Sequence, residues 1–310
     1  MIEQVRPLAI FLFFIQAAAA QPASRHLGKV AGGNGPSVHV VAFGDWGYRG
    51  HGSGQEAVAA TIARLHAATP FQLGLLLGDN FYPSGVSSVN DVAWRDLWEN
   101  GYHRLGIPFF ATLGNHDYRG NAQAQIDYSS RSTTWRMPFR YYTFESGPAQ
   151  FFALDTDEGT AGRLLFRPPW SDEQARWLDG ELARSTARWK IVYGHHPIWS
   201  DGHHGDDRRL VAKLLPILEK HHVDLYVCGH EHELQAHARN GMYFLIAGGG
   251  GKDIRPVTKR RAEFAASKNG FLEIYATAEK LEWKLRGSDG AELFAKTLSQ
   301  TRNAPASQPR

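Results

Sequence analysis

The chain has 310 residues, of which 43% are hydrophobic and 21% are charged, with 34 basic and 31 acidic side chains. This length supports one large buried core, and the near balance of charge gives no reason to expect nucleic acid as a partner. A single cysteine, Cys228, excludes disulfides within the chain. Because it lies in an apolar run, we expect an inert buried thiol.

The first twenty residues have the pattern of a signal peptide. A charged stretch that ends at Arg6 is followed by an apolar run, Leu8 to Phe14, and by four alanines, Ala17 to Ala20, which offer a cleavage site. The apolar run is short for a membrane span, although a retained anchor is the alternative. We therefore expect a secreted or periplasmic protein with no membrane attachment after signal cleavage.

After a Gly/Pro-rich linker, residues 21–36, the sequence predicts a single domain over residues 37–302 and a disordered tail over residues 303–310. Short apolar runs alternate with segments of helical period, which is typical of an α/β fold with one sheet or two packed sheets covered by helices. The predicted helices are Gln55–Ala67, Ser171–Ser185, which opens with a capping box, and Leu210–His221. The predicted strands are Val38–Phe43, Leu73–Leu77, Phe109–Leu113, Phe151–Leu154, Lys190–Tyr193, Val223–Cys228, Met242–Ala247, Phe271–Tyr275 and Leu281–Leu285, with antiparallel hairpins after residue 240.

Five of the predicted strands end in a glycine that is followed by a residue able to bind metal. The five pairs are Gly44-Asp45, Gly78-Asp79, Gly114-Asn115, Gly194-His195 and Gly229-His230. In α/β sheets, ligands bind outside the carboxyl ends of strands, and glycine there permits close approach of backbone and ligand. Any one pair has an ordinary explanation, such as a helix cap or a hydrogen-bonded core histidine. Five with the same pattern predict one shared site.

Two further candidate ligands, Tyr82 and His232, follow closely after Asp79 and His230. Seven ligands are too many for one tetrahedral zinc ion, but they suit two adjacent ions that share a carboxylate, as in phosphoryl transfer. A tyrosine favours a trivalent ion, because the phenol must lose a proton whose pKa is about 10. One trivalent and one divalent ion with a bridging hydroxide would leave the site positive and attractive to a phosphate dianion.

These residues resemble the five ordered motifs of the purple acid phosphatases, in particular the small tartrate-resistant type. The motifs are Asp45-x-Gly47, Gly78-Asp79-x-x-Tyr82, Gly114-Asn115-His116-Asp117, Val192-x-x-His195 and Gly229-His230-x-His232. Most of these motifs are shared by metallophosphoesterases generally, whereas Tyr82 limits the resemblance to the purple acid phosphatases. It implies a four-layer sandwich of two packed mixed β-sheets flanked by helices. It also implies an acid phosphatase that hydrolyses phosphate monoesters with a metal-bound hydroxide and has an acidic pH optimum.

The resemblance further implies a role for each ligand. A ferric ion would take Asp45, Tyr82 and His232, and Asp79 would bridge to the second ion. That second ion, divalent iron, zinc or manganese, would take the remaining candidates, Asn115, His195 and His230.

Catalytic roles follow from the same resemblance. His116 and His204 match positions that contact the phosphate or protonate the leaving group, and Asn115 would also contact substrate. His203 is the alternative to His204 as proton donor, and His196 would at most support the ligands. The other histidines considered, His66, His103, His221, His222 and His237, lie outside the pattern and are expected to have ordinary structural roles.

Three other segments invite interpretation. The run Gly248 to Gly251 before Lys252 lacks the spacing of a phosphate loop, so we expect a tight turn at the rim of the site. The basic run 259–261 is expected to be a solvated loop. Between Asp155 and Trp170 the chain has a short stretch without cysteine, where the mammalian relatives resemble one another in a longer loop that restrains activity, so redox or proteolytic activation is not expected here.

Two other functions remain open at this stage. A metallophosphodiesterase that acts on nucleotides or other diesters would share most ligands but would not need Tyr82. A secreted, non-catalytic protein that binds metal or phosphate would not need His116 and His204. For the enzyme we expect small phosphorylated substrates and a monomer.

Overall fold

The computed structural model describes residues 25–30, 35–50, 53–157, 170–258 and 260–299. The predicted signal peptide, the predicted tail and most of the segment between Asp155 and Trp170 lie outside the described residues. The strands are β1 (His26–Lys29), β2 (Ser37–Phe43), β3 (Leu73–Leu77), β4 (Phe109–Thr112), β5 (Trp135–Arg136), β6 (Tyr142–Ser146), β7 (Ala149–Ala153), β8 (Trp189–Tyr193), β9 (Leu225–Cys228), β10 (Leu234–Arg239), β11 (Met242–Ala247), β12 (Phe264–Ala266), β13 (Gly270–Thr277), β14 (Lys280–Gly287) and β15 (Glu292–Ser299). The α-helices are α1 (Gln55–Ala68), α2 (Ala122–Asp127), α3 (Asp172–Arg184) and α4 (Arg208–Lys220), with a π-helical segment, Trp94–Glu99, and short 3₁₀ turns at Tyr102–Leu105, Asp117–Arg119 and Tyr128–Ser130.

The strands form two mixed sheets. The eight-stranded sheet has the order β1-β6-β7-β8-β9-β11-β10-β12, and the seven-stranded sheet has the order β15-β14-β13-β2-β3-β4-β5. In the second sheet, β2 to β5 are parallel, whereas β13 to β15 join the other side of β2 as antiparallel strands. The prediction of two mixed sheets flanked by helices is confirmed, as are the antiparallel hairpins near the end of the chain.

The alternation of apolar side chains explains how the eight-stranded sheet is covered on both faces. In β7, Phe151 and Ala153 belong to the main core. Phe152, which lies between them, and Leu154, which follows the strand, pack in a second core with α3 and α4. The same alternation recurs in β8, β9 and β11. A strand that is apolar on both faces must be covered on both faces, which gives a sheet between another sheet and a helical layer.

Helix boundaries follow local capping signals. Ser171 is the N-cap of α3, and its side chain accepts a hydrogen bond from the Gln174 N–H over 3.3 Å. Asp207 caps α4 in the same way, which places the start of this helix two residues before the predicted one. His221 is the C-cap of α4 and contacts Asp179 at 2.6 Å, in keeping with the ordinary role expected of it. Within the described ranges, no helix is long and apolar enough to cross a membrane.

Six strands of the described chain are not predicted from the sequence: β1, β5, β6, β10, β12 and β15. β1 falls inside the predicted linker, where it pairs in parallel with β6 instead of remaining irregular. In β10 the polar residues Gln235 and His237 are buried and hydrogen-bonded to each other, so the strand lacks the expected apolar alternation. Gln235 is also hydrogen-bonded to Ser200 and Asp201 of a distant loop, and the pattern within a strand does not reveal such contacts.

Candidate metal centre

The predicted ligands follow the carboxyl ends of parallel strands in both sheets. Asp45 follows β2, Asp79 follows β3 and His230 follows β9. All three adopt left-handed backbone conformations, with φ of 58°, 48° and 69°. This conformation is costly for a residue with a side chain and is retained where the surrounding structure imposes it. Here it turns each side chain toward the others.

At two positions just before predicted ligands, neighbouring atoms lie too close to the backbone for any residue other than glycine. A Cβ atom on Gly114 would lie 2.3 Å from Asp79 Oδ1, and one on Gly229 would lie 2.5 Å from Asp45 Oδ2. Both separations are far below van der Waals contact. The pattern of glycine followed by a ligand therefore has a steric cause, as the sequence indicates.

Three of the predicted ligands form a first group. The Tyr82 hydroxyl donates to Asp45 Oδ1 over 2.9 Å and lies 3.3 Å from His232 Nε2, which is 3.5 Å from Asp45 Oδ1. Donor atoms that each lie about 2.1 Å from one ion would be roughly 3 Å apart when adjacent around it. These separations suit ligands of a common ion. The hydroxyl points into this group rather than packing along the loop after it.

Three others form a second group. His195 Nε2 lies 3.3 Å from Asn115 Oδ1 and 3.2 Å from His230 Nδ1. His195 is fully buried, and His230 is nearly so. An amide oxygen and two imidazole nitrogens suit a borderline divalent ion.

Asp79 lies between the two groups. Its Oδ2 accepts a hydrogen bond from the Tyr82 hydroxyl over 3.0 Å and lies 3.4 Å from His195 Nε2. Its Oδ1 accepts from the His116 backbone N–H over 2.7 Å. One carboxylate therefore touches a member of each group. All seven predicted ligands come together, and their assignment to particular ions stays a prediction.

Backbone carbonyls fix the orientation of two of the imidazoles. His195 Nδ1 is 2.8 Å from Leu77 O, and His232 Nδ1 is 2.9 Å from Asp253 O. A carbonyl oxygen only accepts, so each Nδ1 carries a proton and each Nε2 is the atom that faces the centre. In the metal-free centre, burial disfavours a charged His195, but Asp79 and Asp45 outweigh burial and raise the His195 pKa to about 10, so a metal ion would replace a proton on its Nε2.

The acidic groups of the centre repel one another strongly. Burial, together with the neighbouring Asp79, raises the pKa of Asp45 to about 7. Burial and the two carboxylates raise the pKa of the Tyr82 phenol well above its usual value. Burial disfavours the charged form of Asp79 too, but the nearby His195 outweighs it and lowers the Asp79 pKa to about 2. Cations at this position would relieve the repulsion.

Comparison with known proteins agrees with this geometry. Residues 38–234 match the family model of the calcineurin-like phosphoesterases. Purple acid phosphatase 7 of Arabidopsis thaliana is 32% identical over 85% of this chain and 87% of its own length. Human tartrate-resistant acid phosphatase type 5 is 32% identical over 89% of this chain and 90% of its own length.

The chain belongs to the purple acid phosphatase family. The predicted family and the predicted enzyme class, an acid phosphatase, are therefore confirmed, and with them the hydrolysis of phosphate esters. A solved structure with a different role is also similar: GAP50, described as the anchor in the inner membrane complex of Plasmodium. It has a TM-score of 0.75 and 25% identity and covers 86% of this chain and 90% of that one. Details of this purple acid phosphatase must therefore be argued from its own residues.

The two predicted catalytic histidines lie on opposite sides of the ligands. His116 Nδ1 is 2.6 Å from Pro83 O, its Nε2 is 4.0 Å from Asp79 Oδ2, and its ring centroid is 4.3 Å from that of Tyr82. The ring centroid of His204 is 4.2 Å from that of His230. Both imidazoles therefore border the metal centre, and their catalytic roles stay predictions.

The loop with His203 and His204 is held by a buried carboxylate that the sequence analysis does not single out. Glu231 accepts hydrogen bonds from the backbone N–H groups of His203, over 3.1 Å, and His204, over 2.7 Å. The Ser200 hydroxyl also donates to Glu231, which lies 3.2 Å from His204 Nδ1. His204, rather than His203, stacks near His230, whereas His203 borders a neighbouring cleft. The sequence offered one signal for this role, because Glu231 lies between His230 and His232, two predicted ligands of one motif.

Two further residues support the centre. Asp117 is buried and accepts from the backbone N–H groups of Asn80 and Gly114, which joins the loops after β3 and β4. His196 is buried, with its ring centroid 4.4 Å from that of His230 and its Nδ1 3.0 Å from the Thr156 hydroxyl. It could complete a metal-binding group with His195 and His230, a closer position than the sequence analysis expects.

One expectation about a nearby loop is wrong. The run Gly248 to Gly251 is buried rather than at the rim, since a Cβ on Gly248 would lie 2.1 Å from Glu231 O and 2.8 Å from Asp45 Oδ2. The described part of the basic run, Arg260 and Arg261, is an exposed loop as expected. Arg261 forms ion pairs with Asp201 and Asp206, and the backbone N–H groups of Arg260 and Arg261 donate to Asp201.

Proposed function

We propose that this protein hydrolyses phosphate monoesters at a binuclear centre that holds one ferric ion and one divalent ion of iron, zinc or manganese. One observation carries the proposal. Six donor side chains fall into two groups of three, and the seventh, Asp79, contacts both groups. A single-ion site needs no such arrangement, whereas two adjacent ions that share a carboxylate do.

Asp45, Tyr82 and His232 would hold the ferric ion, and the second group, Asn115, His195 and His230, would hold the divalent ion. When bound, the two ions would neutralise charge on the phosphate and lower the pKa of water. Family membership and the positions of the imidazole Nε2 atoms, which face the centre, support this assignment.

The chain's own groups would then bind the substrate and move a proton. Asn115 and His116 would orient the phosphate, and His204 would donate a proton to the departing oxygen. Glu231 would keep the His204 loop in place through its backbone hydrogen bonds. The proposed optimum is acidic, because a general acid must carry its proton when the substrate binds.

One set of measurements on purified protein tests the proposal. Metal content and the visible spectrum are measured first, and then hydrolysis of 4-nitrophenyl phosphate and bis(4-nitrophenyl) phosphate is followed across pH on the same sample. We expect two metal ions per chain, with iron among them, and a clear preference for the monoester in acid. A preference for the diester, or a kcat/KM that only rises through pH 9, would contradict the proposal.

A non-catalytic role is the competing function, since a similar fold occurs in a protein described as an anchor. It predicts metal or phosphate binding with no turnover that depends on His204. We also propose that the protein is exported, on the basis of residues 1–20, and acts as a monomer. N-terminal sequencing of the exported protein and its mass in solution test these two points.

A further inference from the structure

Arg255 lies at the border between a predicted metal ligand and the predicted proton donor. Its backbone N–H donates to the His232 carbonyl over 3.2 Å. Its guanidinium Nη1 is 3.2 Å from His204 Nδ1 and 3.3 Å from His204 Nε2. The side chain is half-buried, so its position is restrained. A permanent positive charge thus stands beside His204.

Among the residues that the structure describes, no carboxylate forms an ion pair with the guanidinium of Arg255, although its charge acts over a longer distance on Glu233. Its neighbours in the same segment differ, because Lys252 pairs with Asp253 at 2.7 Å and Arg261 pairs with Asp206 at 2.7 Å. A half-buried arginine without a carboxylate partner is available to an anion from solution.

Arg255 lines a cleft of about 750 Å³ beside the loop that carries His203 and His204. His203 and a second arginine, Arg260, also line it. One carboxylate is present, that of Asp201, but the backbone N–H groups of Arg260, Arg261 and Ala262 all donate to it. These hydrogen bonds lower its pKa and compensate its charge. The cleft is therefore positive on balance and large enough for a phosphate-sized group.

We propose that Arg255 determines specificity by binding a second anionic group, phosphate-like in charge, on the leaving-group side of the substrate. The inference rests on the proposed function, because His204 marks the side from which the leaving group departs. A leaving group that His204 protonates must lie beside Arg255 and can extend into the cleft toward Arg260. Preferred substrates are therefore phosphate esters whose alcohol carries another phosphate.

A second cleft, which His204 and His230 line directly, is the competing location. It measures about 270 Å³ and contains Arg208 and Arg209, together with Asp206 and Asp207. Arg209 pairs with Asp207 at 2.6 Å. The balance of charge there is less favourable to an anion. Arg208, which is exposed in that cleft, offers a control with the same change of charge at the competing location.

The test compares two substrates with closely similar leaving-group chemistry: 3-hydroxypropyl phosphate and propane-1,3-diyl bisphosphate. Steady-state kinetics are measured for the metal-loaded wild type, Arg255→Gln, Arg255→Lys and Arg208→Gln at one acidic pH and one ionic strength. We expect the wild type to prefer the bisphosphate. Arg255→Gln should lower kcat/KM for the bisphosphate by about 10- to 100-fold, the scale of one charge-assisted hydrogen bond, mainly through KM. The monophosphate should change by less than about 3-fold.

Arg255→Lys should keep part of the preference, since charge remains but the planar fork is lost, and Arg208→Gln should keep all of it. Equal losses on both substrates would overturn the proposal, since Arg255 would then contact the transferred phosphate or merely position His204. No loss on either substrate, or a selective loss in Arg208→Gln, would overturn it as well. If the wild type hydrolyses neither these substrates nor 4-nitrophenyl phosphate, the proposed function itself fails.

Discussion

Two regions of the seven-stranded sheet use ionisable side chains in opposite ways. At the carboxyl ends of β2 and β3, Asp45 and Asp79 are buried, and burial together with its neighbour raises the Asp45 pKa to about 7. In the antiparallel region formed by β13, β14 and β15, the carboxylate of Glu273 contacts His39 and Arg286. Although partial burial opposes it, these contacts lower the Glu273 pKa to about 2.

The direction of the pKa shift distinguishes a carboxylate that serves function, Asp45, from one that stabilises the fold, Glu273. A carboxylate with a raised pKa destabilises the metal-free fold when it ionises, and it is kept for what it binds. A carboxylate with a lowered pKa stabilises the fold once it is charged. Asp79 also has a lowered pKa, but the group that outweighs burial and lowers it is His195, another predicted ligand, so this interaction belongs to the centre. Changes at the strand ends should therefore alter metal content and activity, and changes in the antiparallel region should alter the free energy of unfolding.

The largest effect is expected from Asp79→Ala. This change removes the one carboxylate that contacts both donor groups, so we expect loss of metal and a fall in kcat/KM of about 10⁴-fold or more, the scale seen when a member of a catalytic unit is removed. Metal analysis and monoester kinetics measure it. Asp91→Ala is the matched control, because the Asp91 carboxylate caps Ser87 and Ala93 outside the centre. Full metal occupancy in Asp79→Ala would contradict the bridging assignment.

The second effect separates proton transfer from metal binding. His204→Ala should leave metal content nearly unchanged and lower kcat on an alkyl phosphate by about 10² to 10⁴-fold, the usual contribution of general acid catalysis. The loss should be smaller on 4-nitrophenyl phosphate, whose leaving group needs little protonation. His203→Ala is the control from the same loop. If that variant shows the larger loss on alkyl phosphate, the proton donor is His203.

A third change affects the spectrum more than the rate. If Tyr82 binds a ferric ion as a phenolate, charge transfer should colour the protein violet, which a d¹⁰ zinc ion cannot produce. Tyr82→Phe should abolish this band while six other ligands still hold two ions. Tyr48→Phe is a suitable control, since its ring centroid lies 6.2 Å from that of Tyr82. A colourless, oxidised wild type with full iron content would show that Tyr82 is not a ligand.

The smallest effect concerns stability alone. Glu273→Gln should lower the free energy of unfolding by about 1 kcal/mol at pH 7, a value discounted because part of the side chain still reaches solvent. Since the folded pKa is depressed from 4.5 to about 2, the difference from the wild type should be full above pH 4.5 and vanish as pH falls toward 2. Urea unfolding of both metal-free proteins across this range measures it.

The exposed Glu292, which pairs with Lys284 at 3.2 Å, supplies a control for Glu273→Gln. Glu292→Gln should change stability by less than about 0.5 kcal/mol at any pH. Neither variant should change kcat. A loss of activity in Glu273→Gln with unchanged metal content would show that the two regions are not separable.

Much of the centre could be predicted from sequence because the chemistry is local at each strand end. Asp45, Asp79, Asn115, His195 and His230 all follow a glycine after an apolar run, and the glycine has a steric cause that holds at each position. Parallel strands align these ends without further information. The alternation in the strands of the eight-stranded sheet likewise predicts covered faces.

What the sequence does not reveal depends on contacts between distant segments. The backbone N–H of Arg255 is hydrogen-bonded to His232, which places Arg255 near His204. Glu231 accepts a hydrogen bond from the loop of His204, which lies well before it in the chain. In β10, the buried Gln235 is hydrogen-bonded to Ser200 and Asp201, which lie more than 30 residues earlier in the chain. A residue whose role is to hold another part of the chain has no periodic or spacing signal of its own.

The pairing of β2 with β13 has a consequence for how the protein is made. Val38 lies opposite Ala276 in that ladder, so nearly the whole described chain separates two strands that are adjacent in the sheet. The conformational entropy of so long a loop is lost before the contacts between the two strands can form. Such topologies therefore fold slowly. A nascent chain that has not yet released residues 270–277 lacks one neighbour of the strand that carries Asp45. The first of the seven predicted ligands along the chain therefore follows a strand whose neighbour, β13, is synthesised after all seven.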